Sequence, residues 1–132
     1  MPEVIVLDSH IWFWWINLEH ERLPAGCRDR IEQAERVGVS PVSCYELALA
    51  HRRGRLQLPC ASAKWFAEAL APAGVDLIPL SLEITVRAVN LTDIHRDPFD
   101  RLIIATALEY GANLASADAL FRRYPELVSV LI

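Results

Sequence analysis

The chain has 132 residues, 53% hydrophobic and 23% charged, with a formal net charge of −4 at pH 7. This length and balance fit one compact globular domain over residues 1–132 with a proper core. The negative charge argues against a uniformly basic nucleic-acid binder, and no stretch approaches the ~20 apolar residues of a membrane span.

The opening run, MPEVIVLDSH, lacks the basic start and apolar length of a signal peptide, so the expected location is the cytoplasm. Val4 to Leu7 is a continuous apolar run of the kind a buried parallel strand needs, and it ends at Asp8-Ser9, which can cap a following helix. That helix begins with HIWFWWI, whose aromatics are too closely spaced for one face to bury them all. Ile11, Trp14 and Trp15 fit one stripe, leaving Trp12 and Phe13 on another side. A helix is expected from about Pro24 to Arg36, followed by a brief strand at Val39-Ser40.

Pro41 starts a helix that carries Glu46 in its first two turns and closes at Arg53-Gly54. Its last stretch, HRRGR at 51–55, suits the negative end of a helix, and its position at the opposite end from Glu46 argues against direct contact with a substrate. Val75 to Pro79 reads as a strand and Leu82 to Asn90 as a helix. The next helix runs from Asp97 to Tyr110, with Asp97 as N-cap, Pro98 at the first helical position, Asp100 at the third and Gly111 as C-cap. Asn113 to Ala115 is a strand ending at Ser116-Ala117-Asp118, which caps a short helix to Tyr124, and Val128 to Leu131 is expected to form a last strand.

Strands alternating with helices imply an α/β fold, a mostly parallel central sheet with helices on both faces, whose strands all end on one edge. Ligand sites in such sheets lie outside that edge. Asp8, Glu46 and Asp118 each follow a strand end, and Asp97 and Asp100 open a helix that must start there. Capping explains each acid singly; it does not require acids from four segments to share one small region. Carboxylates within ~4 to 6 Å repel one another unless a cation sits among them. Mg2+ or Mn2+ prefers oxygen ligands, and the chain offers no competing cluster of Cys or His. Cys27, Cys44 and Cys60 form no CxxC pair and read as small buried hydrophobes. Such an acidic site supports metal-assisted phosphodiester hydrolysis. Of the 13 basic residues only Lys64 is not arginine, and arginine suits bidentate contact with phosphate or carboxylate.

Together, VIVLDSH, SPVSCYELA, HRDPFDRLIIATA and LASAD resemble, in order and spacing, the PIN-domain ribonucleases, and more specifically the VapC-type toxins of bacterial toxin-antitoxin pairs. The resemblance implies a PIN-like three-layer fold and Mg2+- or Mn2+-dependent RNA cleavage leaving a 5′-phosphate. It also implies inhibition by a cognate antitoxin protein and a homodimer. By position it assigns the metal-binding, catalytic acids to Asp8, Glu46 and Asp100, with Asp118 as a fourth, while Asp97 remains a helix cap. Ser9 and Ser116 are placed to hydrogen-bond the acids or to cap helices. SAD stands where related proteins often have Thr or Ser followed by Arg-Asp, so a basic neighbour of Asp118 is missing.

Arg96 and Arg101 flank the acidic motif and are the candidates for holding substrate phosphate; Arg122 and Arg123 are more distant. His10 and His95 adjoin the acids and read as capping or solvent-facing side chains rather than general bases. Trp12, Trp14 and Trp15 are the candidate partner contacts, since the family binds its antitoxin near this helix. The acidic cavity itself would accept an antitoxin arginine. The alternatives are a receiver-like Mg-binding signalling module and a catalytically inactive PIN-like binding protein. A receiver would need adjacent acids after the first strand and a late lysine, neither of which is present, and an Asp-nucleophile phosphatase would need an acid where His10 stands.

Overall fold

The computed structural model describes residues 3–132. Four strands, β1 (Val4–Leu7), β2 (Arg36–Val39), β3 (Val75–Leu77) and β4 (Asn113–Ala115), form one all-parallel sheet in the order β3-β2-β1-β4. Six α-helices cover it: α1 (Ser9–Ile16), α2 (Cys27–Gln33), α3 (Pro41–Arg52), α4 (Ser62–Ala69), α5 (Leu82–Asn90) and α6 (Pro98–Glu109). The central position of β1 explains its unbroken apolar run, because a strand flanked on both edges and covered on both faces has no solvent side.

Alternation along β1 divides the core. Ile5 and Leu7 face a layer built from α1, α2 and α4, with Trp12, Ile31 and Trp65 among its buried side chains. Val6 faces the other layer, where α6 supplies Ile103 and Ile104, joined by Phe121, Tyr124 and Leu127. Helix α5 packs on α6 through Ile84, Ala88 and Ala105. Helix α3 reaches both layers, Leu47 to the first and Val42 to the second. Gly38 in β2 is required by a close approach: a Cβ there would lie 2.5 Å from Ile78 Cδ1.

Three expectations from sequence need correction. The helix expected over Pro24 to Arg36 is limited to Cys27–Gln33, because Gly26 takes a left-handed conformation just before it and residues 36–39 pair with both neighbouring strands. The brief strand at Val39-Ser40 is therefore the end of β2, whose exposed Arg36 disguises its start. The expected strand at Val128 to Leu131 reduces to a single bridge between Leu114 and Leu131, and most of that segment is turn. Helix α4 was not legible at all: Ala61 precedes it without any side-chain cap.

Candidate metal centre

Each acid reaches the carboxyl edge by a local device. Asp8 leaves β1 and caps α1, its Oδ1 accepting from the Ser9 backbone N–H at 2.8 Å. The backbone N–H of Asp8 donates to Ala115 O at 2.9 Å, which ties the ends of β1 and β4 together. The Ser116 hydroxyl then donates to Asp8 Oδ2 at 2.8 Å and accepts from the Asp118 backbone N–H at 3.0 Å. Asp118 caps the 3-10 turn Ala119–Arg123 through Leu120 N–H.

Ser40 caps α3 behind Pro41 and so starts the helix that presents Glu46. The Ser9 hydroxyl donates to Glu46 Oε1 at 2.9 Å and lies 2.9 Å from Ser43 Oγ. Asp97 caps α6, accepting from Phe99 N–H at 2.9 Å, while Asp100 turns inward within the same first turn. His95 Nε2 stands 3.2 Å from Asp100 Oδ2 and 3.1 Å from Asp118 Oδ2. Its ring is placed edge-on to Phe121, and its backbone N–H donates to the Tyr124 hydroxyl at 2.8 Å.

Asp8, Glu46, Asp100 and Asp118 line one cavity of about 410 Å³, with Ser9 and Trp14 in its wall. Burial pushes the Asp100 carboxyl up to about 7, assisted by the negative charges of Asp8, Glu46 and Asp97 and opposed by His95. Burial also raises Asp8, against the bonds from Ser116 and Ser9, and raises Glu46, against the bond from Ser9. Among the described residues no arginine or lysine pairs with any of these acids. The charge conflict is of the kind a divalent cation relieves.

Two sets of three side chains bring ligand atoms within 4.8 Å of one another: Glu46, Asp97 and Asp100, and His95, Asp100 and Asp118. Asp100 belongs to both. Asp8 shares the cavity but neither tight set, and both of its oxygens accept hydrogen bonds. The donor set, carboxylates with one imidazole, fits a hard or borderline dication such as Mg2+ or Mn2+.

The other candidates from sequence divide clearly. Ser9 and Ser116 both bond to acids of the cavity. Arg96 is exposed beside Asp97. Arg101 is not free for phosphate: its guanidinium donates to the backbone carbonyls of Ala88, Val89, Leu91, Thr92 and His95. Those carbonyls belong to the end of α5 and the segment after it, so Arg101 clamps the segment that delivers His95.

Trp12 is likewise no partner contact. It is fully buried, with its indole N–H donating to Ala69 O at 3.1 Å and its ring against Trp65 and Phe66, because α4 covers this side of α1. Trp14 and Trp15 are partly exposed, Trp14 at the cavity and Trp15 stacked on His20. His95 is the residue that sequence reasoning placed outside the site; its adjacency to the acidic motif was the available signal.

The PIN domain family model matches residues 5–127. Ribonuclease VapC22 of Mycobacterium tuberculosis is 33% identical over 129 residues, 96% of this chain and 97% of that protein. Among solved structures, VapBC2 from Rickettsia felis bound to a DNA fragment from its promoter superposes with a TM-score of 0.68 at 18% identity, covering 98% of this chain and 97% of that one. A toxin-antitoxin complex from Klebsiella pneumoniae gives 0.61 at 16% identity, covering 97% and 95%.

Proposed function

The chain belongs to the PIN-domain family, and from that premise we propose that it is a divalent-cation-dependent endoribonuclease toxin held in check by a cognate antitoxin. The observation that carries this reading is the meeting of Asp8, Glu46, Asp100 and Asp118 on one cavity where, among the described residues, no arginine or lysine pairs with them and the basic side chains at hand are the imidazoles of His10 and His95. Relatedness to a VapC ribonuclease supports RNA as the substrate. Likeness in fold to chains of toxin-antitoxin assemblies is consistent with a protein inhibitor.

Mg2+ or Mn2+, when bound, supplies neutralisation of the scissile phosphate and activation of water. Asp8, Glu46 and Asp100 would hold it directly or through water, with Asp118 completing the set and His95 joining from the Asp100 and Asp118 side. Ser116 fixes the Asp8 carboxylate and Ser9 fixes Glu46, so the acids are aimed before any ligand arrives. Because Asp100 takes up a proton near neutral pH, cation binding and deprotonation of this side chain are coupled.

An antitoxin arginine entering the same cavity would pair with these carboxylates, a contact guanidinium groups make bidentately, and would exclude the cation. Trp14, in the wall of that cavity, would flank the arm. Homodimerisation and action in the cytoplasm, where RNA is met, complete the reading. The described helices include none long and apolar enough to cross a membrane.

The test is cleavage of total cellular RNA in Mg2+ with mapping of the new ends. Asp100→Asn should lower the rate by roughly 10³-fold or more while the protein stays folded. Wild-type protein that leaves RNA intact in Mg2+, or an Asp100→Asn variant that cuts as fast as wild type, overturns the assignment.

A further inference from the structure

A second groove of about 260 Å³ starts from the acids and runs along α3, with Glu46 and Asp97 at one end and Arg53 and Arg55 at the other. Glu46 and Arg53 are seven residues apart, close to two helical turns, so they lie on the same face about 10 Å from each other along the axis. Leu49 and Ala50 form the floor between them.

Gly54, at φ +72, closes the helix in a left-handed turn, and the Arg55 N–H returns to Ala50 O at 2.9 Å. This brings Arg55 back beside the last turn instead of away from it. Phe99, at the start of α6 and packed against Tyr45 with ring centroids 5.1 Å apart, supplies the facing apolar wall.

What sets these two arginines apart is their place on the groove that leads from the acids; Arg52, Arg96, Arg122 and Arg123 also lack a salt-bridge partner among the described residues. Arg22, Arg28, Arg30, Arg36 and Arg87 each face a carboxylate, and Arg101 is occupied by backbone carbonyls. Arg53 and Arg55 have no acidic partner in salt-bridge contact among the described residues. Arg53 is the C-cap of α3 and so also stands at the negative end of the helix, next to His51 and Arg52 in its last turn. A chain of net charge −4 with an acidic cavity repels a polyanion unless positive charge stands next to that cavity.

We infer that Arg53 and Arg55 hold the backbone phosphates of the RNA strand next to the scissile bond, with the adjoining base laid against Phe99. The inference rests on the ribonuclease reading above. Guanidinium groups bind phosphate through paired donors, and base–aromatic stacking tolerates any base, so the groove is a track for single-stranded RNA. An antitoxin arm led by arginine would be repelled at this end, which favours RNA over the protein partner.

The test is fluorescence anisotropy of a 5′-labelled, mixed-sequence single-stranded oligoribonucleotide over a series of salt concentrations, with RNA cleavage in Mg2+ measured in parallel. The double variant Arg53→Gln, Arg55→Gln should bind about tenfold more weakly at low salt. Its plot of log Kd against log salt should be shallower by about 1.4, the loss of two phosphate contacts to a single strand. Cleavage should show a raised KM with kcat little changed. Arg53→Lys, Arg55→Lys should keep the wild-type slope, because counterion release follows charge, and Arg28→Gln should match wild type throughout.

If wild type cuts RNA and the glutamine variant retains wild-type Kd, slope and KM, this inference fails and the ribonuclease reading stands. It fails equally if the variant loses antitoxin binding but not RNA binding. If wild type cuts no RNA, the ribonuclease reading fails and takes the inference with it.

Discussion

The two ends of β1 carry acids in opposite electrostatic conditions. At the amino end, Glu3 accepts from Arg30 and from Asn113 Nδ2, the latter at 2.6 Å, and the Arg30 contact above all holds its carboxyl below the usual range. Nearby on the same sheet, Arg36 of β2 pairs with Asp76 of β3 at 3.0 Å. At the carboxyl end, Asp8, Glu46 and Asp100 have hydroxyls, one backbone N–H and the imidazoles of His10 and His95 for company, and all three carboxyls are raised. Arginine is abundant in this chain, and Arg101 follows Asp100 directly yet is turned onto carbonyls. Acids that stabilise the sheet are paired, whereas acids left in mutual repulsion are kept for a ligand that the folded chain does not itself provide.

The sharpest way to break this contrast is to remove the arginine that stands beside the acids without serving them. Arg101→Gln should destabilise the protein by about 2 to 4 kcal/mol, since it strips a charged donor from five carbonyls, and urea unfolding would measure the loss. If Arg101 instead acted on substrate, stability would be unchanged and only RNA binding would suffer.

Next in size is the hydroxyl that aims Asp8. Ser116→Ala should reduce Mg2+-supported cleavage by about 10- to 100-fold with little change in unfolding midpoint. A variant with full activity would show that Asp8 needs no such orientation.

The smallest effects are the most diagnostic, because they should have opposite signs at the two ends. With chelator at pH 8, Asp100→Asn should raise Tm by about 2 to 6 °C by relieving repulsion, while Glu3→Gln should lower it by a smaller amount, the pair being partly exposed. The pH dependence separates them further. A carboxyl whose folded pKa is raised binds its proton more tightly in the folded state, so metal-free wild type should lose stability as pH rises from about 4 through about 7, and Asp100→Asn should flatten that decline. Glu3, with its folded pKa lowered, contributes stability above the unfolded value that is lost as pH falls through the folded one. Equal signs for the two variants would erase the distinction.

Much of this arrangement was legible in the residues. The apolar run of β1, the Leu82–Asn90 helix and the Asp97-Pro98 start of α6 have strong local signals, and the expected bounds agree with those observed. The shared sheet edge followed from the alternation of strands and helices. What sequence could not supply were contacts made between distant segments. Trp12 is buried because α4, a short helix with no side-chain cap, covers it, and nothing in HIWFWWI distinguishes a tryptophan under a neighbouring helix from one facing solvent. Arg101 and His95 have the same origin: their roles depend on how the segment between α5 and α6 folds back, a matter of tertiary packing.

The most direct measurement is calorimetric titration of Mn2+ into wild type and Asp100→Asn at pH 8 and pH 6. The expected result is one saturable cation event in wild type at pH 8, at least about tenfold weaker at pH 6, where Asp100 holds its proton, and weakened at both pH values by the substitution. No binding to wild type at pH 8, or equal binding by the two proteins, would contradict the claim that the acids at this edge exist to hold a divalent ion.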